Sequence, residues 1–76
     1  MRAIITPFQV ADLNTHLAHE QIAVKVHLTD ACGAQSLWLE GDASQFAAAE
    51  ASITNFLADI RLTPQFSDDK SRFTLV

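Results

Sequence analysis

Cys32 is the one thiol in this 76-residue chain, and His27 precedes it by a short stretch of strand-like sequence. A thiol beside an imidazole can ligate a transition metal or act as a redox-sensitive nucleophile, provided its surroundings favour the thiolate. Asp30 is a nearby anion and opposes that. No second cysteine is present to resolve a sulfenic acid as an internal disulfide. Without such support Cys32 is a small turn residue, with Asp30 and Gly33 setting the local geometry.

His16 and His19 form the next candidate set. Their spacing puts both on one helical face, with Asp12 one turn before His16 and Glu20 one turn after it. Such a face can bind a transition metal weakly, but no closed set of four ligands for structural zinc is visible. The plain alternative is a solvated helix end where His19 meets the favourable end of the dipole. Trp38 is the single tryptophan and invites either an interface or a cation–π pair with Lys25. Glu40, Asp42 and Glu50 look like a strand terminus followed by acids at a helix N-terminus, not like a catalytic pair. There is no Gly-rich phosphate loop, nucleophile elbow, Cys-x-x-Cys or His-Glu-x-x-His. No catalytic residue is assigned on this reading, and no cofactor is expected.

The elements that must position these residues follow from periodicity. Arg2 to Ile5 is a short β-branched run read as a first strand. Thr6, Pro7 and Gln9 have the spacing of an N-cap, a first-turn proline and a capping-box partner. The helix they start carries Val10, Leu13 and Leu17 on one stripe. Ile22 to Thr29 alternates, with Ile22, Val24, Val26 and Leu28 on one face and Lys25, His27 and Thr29 on the other. Ala34 to Glu40 alternates likewise, with Leu37 and Leu39 opposed to Ser36, Trp38 and Glu40.

A four-residue loop, Asp30 to Gly33, keeps the two apolar faces together. It sets Val26 against Leu37, Val24 against Leu39, Lys25 against Trp38 and His27 against Ser36. Asp30 is expected to accept bonds from the turn amides. Asp42 and Gln45 suggest a second capping box. The helix beyond it is expected to reach about Leu62 and to bury Phe46, Ala49, Ile53, Phe56, Leu57 and Ile60. Ala47, Ala51 and Ala58 make a small-residue shoulder, and Pro64 ends the helix. Gln65–Ser67 and Arg72–Leu75 then read as a final hairpin around Asp68-Asp69-Lys70-Ser71, with Phe66 and Phe73 inward. No internal repeat is visible.

The order β-α-β-β-α-β-β predicts one α+β domain spanning residues 1–76. It would be a two-layer sandwich in the ferredoxin-like split arrangement with an extra C-terminal strand. Two helices cover one sheet face. The other face would expose Lys25, His27, Ser36, Trp38 and Glu40 as a candidate interaction surface.

Hydrophobic residues at 49% and charged residues at 18% describe an ordered globular chain, not a disordered one. Its net charge is −4, and its five basic residues, Arg2, Lys25, Arg61, Lys70 and Arg72, are scattered. A phosphate backbone finds no basic stripe to bind, so nucleic acid is not an expected partner. The apolar runs are too short to span a bilayer, and Pro7 interrupts the N-terminus before a signal-peptide core. With a lone cysteine, this predicts a soluble, cytoplasmic protein.

Val26-His27-Leu28-Thr29-Asp30-Ala31-Cys32-Gly33-Ala34-Gln35-Ser36-Leu37-Trp38-Leu39-Glu40 resembles the RDAC family of small bacterial proteins. Those are named for an Arg-Asp-Ala-Cys turn followed by Gly and often Gln-Ser. Thr29 stands here where that family has arginine, which removes a charge that could activate the thiol or hold an anion. Gln65-Phe66-Ser67-Asp68-Asp69-Lys70 and Phe73-Thr74 are also similar. The resemblance implies a bacterial origin and no particular activity. Three functional expectations follow. The first is a non-catalytic interaction domain, partnered by a second copy or another protein. The second is a thiol- or metal-dependent protein centred on Cys32 with His27. The third is a small-ligand regulatory domain.

Overall fold

Thr6 starts the first helix as its neighbours' spacing predicts. Its hydroxyl accepts the Gln9 amide at 3.1 Å, and the Gln9 side-chain oxygen accepts the Thr6 amide at 2.8 Å. The structure is a computed structural model and describes residues 3–31 and 34–76. Helix α1 spans Pro7–His19 and buries Val10, Leu13 and Leu17. Strands β1 (Val24–Ala31) and β2 (Ala34–Gly41) form an antiparallel hairpin. A 3₁₀ turn, Ala43–Gln45, leads into helix α2, Phe46–Asp59. Strands β3 (Pro64–Phe66) and β4 (Arg72–Leu75) complete an antiparallel sheet of order β1-β2-β4-β3. Ile5, Leu13, Leu17, Val26, Leu37, Ile53, Leu57 and Phe73 are the largest fully buried side chains, and all belong to one core. Among the described residues no helix is long and apolar enough to cross a membrane.

The α+β class stands, but the expected N-terminal strand does not form among the described residues. Arg2 lies outside them, and Ala3–Ile5 joins no ladder. In a split arrangement that strand would lie beside the second arm of the first hairpin. β4 fills this slot instead, pairing Phe73 with Leu37 and Arg72 with Trp38. A tight hairpin pairs β4 with β3, so β4 enters this slot as part of a two-stranded unit, whereas Ala3–Ile5 runs at once into the helix cap. The observed order is therefore α-β-β-α-β-β.

The hairpin register differs from expectation by two residues. Val26 faces Leu39, Leu28 faces Leu37, His27 faces Trp38 and Lys25 faces Glu40, and pairing continues to Ala31–Ala34. A two-residue slip returns every side chain to the same face, so the apolar pattern is satisfied equally by both registers. Asp30 is accordingly a strand residue and accepts a bond from the Gln35 side chain at 3.2 Å. The second helix also ends earlier than expected, at Asp59, with Pro64 opening β3. Asp42 caps the 3₁₀ turn through the Ser44 amide at 2.9 Å.

The two halves of the chain share one plan. Both helices end in the same Schellman geometry: Gln21 (φ 59°) and Arg61 (φ 63°) take the left-handed position. In one, the Gln21 and Ile22 amides donate to Ala18 and Leu17. In the other, the Arg61 and Leu62 amides donate to Ala58 and Leu57. Each helix leads into a hairpin, and the second arms, β2 and β4, meet in the middle of the sheet. The pair Val24–Gly41 corresponds to Pro64–Leu75, which places a pseudo-dyad through the Trp38–Arg72 pair, normal to the sheet. This repeat is one of geometry. Few positions carry the same residue, which is why none is visible in the sequence.

Candidate functional site

The alternation of β1, β2 and β4 sends Lys25, His27, Thr29, Ser36, Trp38, Glu40, Arg72 and Thr74 to the face away from the buried side chains. The expected interaction set, Lys25, His27, Ser36, Trp38 and Glu40, therefore shares one surface, with Arg72 added to it. Trp38 remains 44% exposed although it lies in a central strand. His27, directly across the ladder, stacks on the indole with ring centres 4.3 Å apart and planes 22° from parallel. The His27 Nε2–H donates to Glu40 Oε1 at 2.6 Å, diagonally across the hairpin. The expected Lys25–Trp38 pair is thus replaced by His27–Trp38, a direct result of the register. Lys25 stands opposite Glu40, but the carboxylate is turned to the imidazole.

Ser36, Leu37, Trp38, Leu39, Ser71 and Arg72 line an open groove of about 340 Å³. The Leu39 amide donates to the Ser71 carbonyl at its edge, 2.8 Å away. Among the described residues the ion pairs are His16–Glu20, His27–Glu40 and Glu50–Lys70, and Arg72 takes part in none. A carboxylate-oriented imidazole is one part of a nucleophilic triad. Among the described residues, however, no Ser or Thr hydroxyl bonds the His27 ring. The arrangement offers aromatic surface and charge for recognition.

The other candidates separate. Cys32 lies outside the described residues, as does Gly33. His16 is drawn into the helix–helix seam, where its ring packs 5.4 Å from that of Phe56 and its Nε2 lies 3.5 Å from Glu20 Oε1. The same Glu20 oxygen accepts the Ser52 hydroxyl of α2 at 2.5 Å. His19 is exposed and lines a shallow hollow with Thr15 and Ala18. Among the described residues no three His, Cys, Asp or Glu gather as a metal-holding group. The three carboxylates considered together also part company. Glu40 bonds His27, and Glu50 meets Lys70 Nζ at 2.9 Å. Asp42 is held below the ordinary carboxylate range by the Ser44 backbone and side-chain hydrogen bonds.

Two amides that sequence reasoning passed over hold this face in place. Asn14 of α1 reaches the outer edge of β1, where its Oδ1 accepts the Val26 amide (2.7 Å) and its Nδ2 donates to the Val26 carbonyl (2.9 Å). Gln35 does the same for the N-terminal segment: its Oε1 accepts the Ile5 amide (3.0 Å) and its Nε2 donates to the Ile5 carbonyl (2.9 Å). Each acts as a one-residue stand-in for a neighbouring strand. A signal for Asn14 was present, since 10, 13, 14 and 17 is the full i, i+3, i+4, i+7 stripe and Asn14 is its polar member. Ser52, buried beside Ile53, has the same signature. Comparison with protein-family models, curated proteins and solved structures finds no match.

Proposed function

We propose that this protein is a small, non-catalytic interaction domain that associates with a second copy of itself through the open sheet face. The observation that carries the reading is Trp38, a large aromatic left 44% exposed at the centre of a sheet whose opposite face is buried. Exposed tryptophans framed by polar groups anchor interfaces, because one ring contributes large apolar area at little entropic cost. The His27 stack and its bond to Glu40 hold the indole in one orientation, which lowers the cost of docking. The proposal includes a soluble, cytoplasmic setting and no nucleic-acid partner, in keeping with the net charge of −4. It borrows no activity from the RDAC resemblance.

Sedimentation velocity from low to high micromolar concentration tests this. The expected result is a shift from one chain mass to two, abolished by Trp38→Ala while the circular dichroism spectrum is unchanged. A wild-type chain that stays monomeric throughout, or a dimer indifferent to Trp38→Ala, refutes the proposal. Thiol or metal chemistry at Cys32 with His27 has less behind it, because His27 already serves Trp38 and Glu40.

A further inference from the structure

We infer that two copies stack their open faces about a dyad parallel to the strands, so that Trp38 of each copy lies on Arg72 of the other. This rests on the self-association proposed above and adds its geometry. Trp38 and Arg72 are direct neighbours across the β2–β4 ladder and so share one face and one row. They mark the pseudo-dyad at the middle of the sheet. Arg72 is exposed and, among the described residues, in no ion pair. The groove beside them leaves room for an incoming side chain.

The two-fold axis of a face-to-face dimer lies in the plane between the sheets. It can run across the strands or along them. Run across them through this central row, it sets each strand over its own copy, so Trp38 meets Trp38 and Arg72 meets Arg72. Two guanidinium groups would then lose water while facing each other, with no carboxylate in the row to offset them. Run along the strands, it sets β2 over β4, and each Arg72 enters the groove beside the second copy's Trp38 and meets the indole face that His27 leaves free. That is two cation–π contacts from one row, each stronger as water leaves. Aligned sheets cross at about 30°, which displaces the edges most and the central row least.

The size is also suitable. The molecule measures 32 × 23 × 16 Å, so its broad face offers at most on the order of 700 Å² per partner, near the low end of stable interfaces. A dimer in the micromolar range is expected.

The test uses Ser36, which lies on the open face two residues from Trp38 along β2. With sheets about 10 Å apart, the two copies of Ser36 are about 11 Å apart if the dyad follows the strands. If it crosses them they are about 17 Å apart, and Ser36 faces the second copy's Glu40 instead. In a Cys32→Ser background, the Ser36→Cys protein should be cross-linked to itself by a short, rigid bis-maleimide. A mixture of Ser36→Cys and Glu40→Cys proteins should give no faster reaction. Arg72→Glu should weaken the dimer at least about tenfold, and Arg72→Lys should retain much of it. Efficient Ser36–Glu40 cross-linking, or a dimer unaffected by Arg72→Glu, overturns this geometry while leaving self-association intact. A wild-type chain that never dimerises overturns both.

Discussion

Replacing Asn14 with alanine should cost about 3 kcal/mol, more than any other exposed or half-buried polar substitution on α1. The side chain makes two hydrogen bonds, at 2.7 and 2.9 Å, to the main chain of Val26, a residue 2% exposed. β1 is an edge strand, so the outward amide and carbonyl of Val26 have no other strand to meet. Losing a bond that water can replace costs about 1 kcal/mol, whereas a group left buried and unpaired costs about 1–3 kcal/mol. α1 packs against β1 and Val26 is almost fully buried, so two such groups come to about 3 kcal/mol. That is a large share of the roughly 4–11 kcal/mol expected for a chain of this length. Asn14→Asp should be no better at neutral pH, because it keeps the acceptor for the Val26 amide but sets an anion against the Val26 carbonyl. Equilibrium unfolding in urea, followed by Trp38 fluorescence and circular dichroism, is the assay. With a slope of about 1 kcal/mol/M, the midpoint should fall by about 3 M. Thr15→Ala is the control, since that hydroxyl bonds its own helix at Ala11. If Asn14→Ala and Thr15→Ala shift the midpoint equally, Asn14 does not close the edge as argued.

Three further outcomes follow from the same geometry. Gln35→Ala should release the N-terminal segment at Ile5, raising hydrogen exchange at the Ile5 amide and lowering stability by about 1–3 kcal/mol. An Ile5 amide as protected as before would contradict that role. Gln21→Gly and Arg61→Gly should each add about 0.5–1 kcal/mol, because both side chains occupy the left-handed region where glycine is unstrained. Thermal unfolding should show the two gains as additive. Asp69 is lowered from 3.8 to about 2, first by the Ser71 hydroxyl, then by the Ser71 amide and the Ser67 hydroxyl. Its pKa is depressed on folding, so its contribution is present above about pH 4 and is lost as pH falls through about 2. Carboxyl titration by NMR should place Asp69 near that value, and Ser71→Ala should move it upward.

Much of this fold was legible because apolar spacing decides which side chains face inward. Val10, Leu13 and Leu17, the alternation of both hairpin arms, and the Phe66–Phe73 pairing all sit where periodicity puts them. What periodicity cannot resolve is a slip of two residues, since it restores every face. The hairpin register therefore went astray, and with it the partner of Trp38, which is His27 and not Lys25. The N-terminal strand failed for a different reason. A short β-branched run is compatible with a ladder but does not secure one, and β4 held the slot beside β2 with Gln35 left to bond Ile5. The candidate face was legible as a set of residues because a set depends on parity alone. Its internal contacts were not, because they depend on register.

That distinction bears on what the pseudo-dyad means for the face. In a sheet built from two identical halves, the residues flanking the axis would be the same, and any stacked second copy would meet like with like along that row. Here the two halves share their helix ends and strand order but differ at the axis, where one supplies Trp38 and the other Arg72. The difference makes the central row polar along one direction only, from indole to guanidinium. A dyad along the strands reverses that direction between copies and brings opposites together, while a dyad across them preserves it and does not. On the stacking proposed above, the geometry that brings the halves together also sets how a second copy approaches. Exchanging the two residues in one chain, Trp38→Arg with Arg72→Trp, should preserve dimerisation with itself, whereas either single change should weaken it.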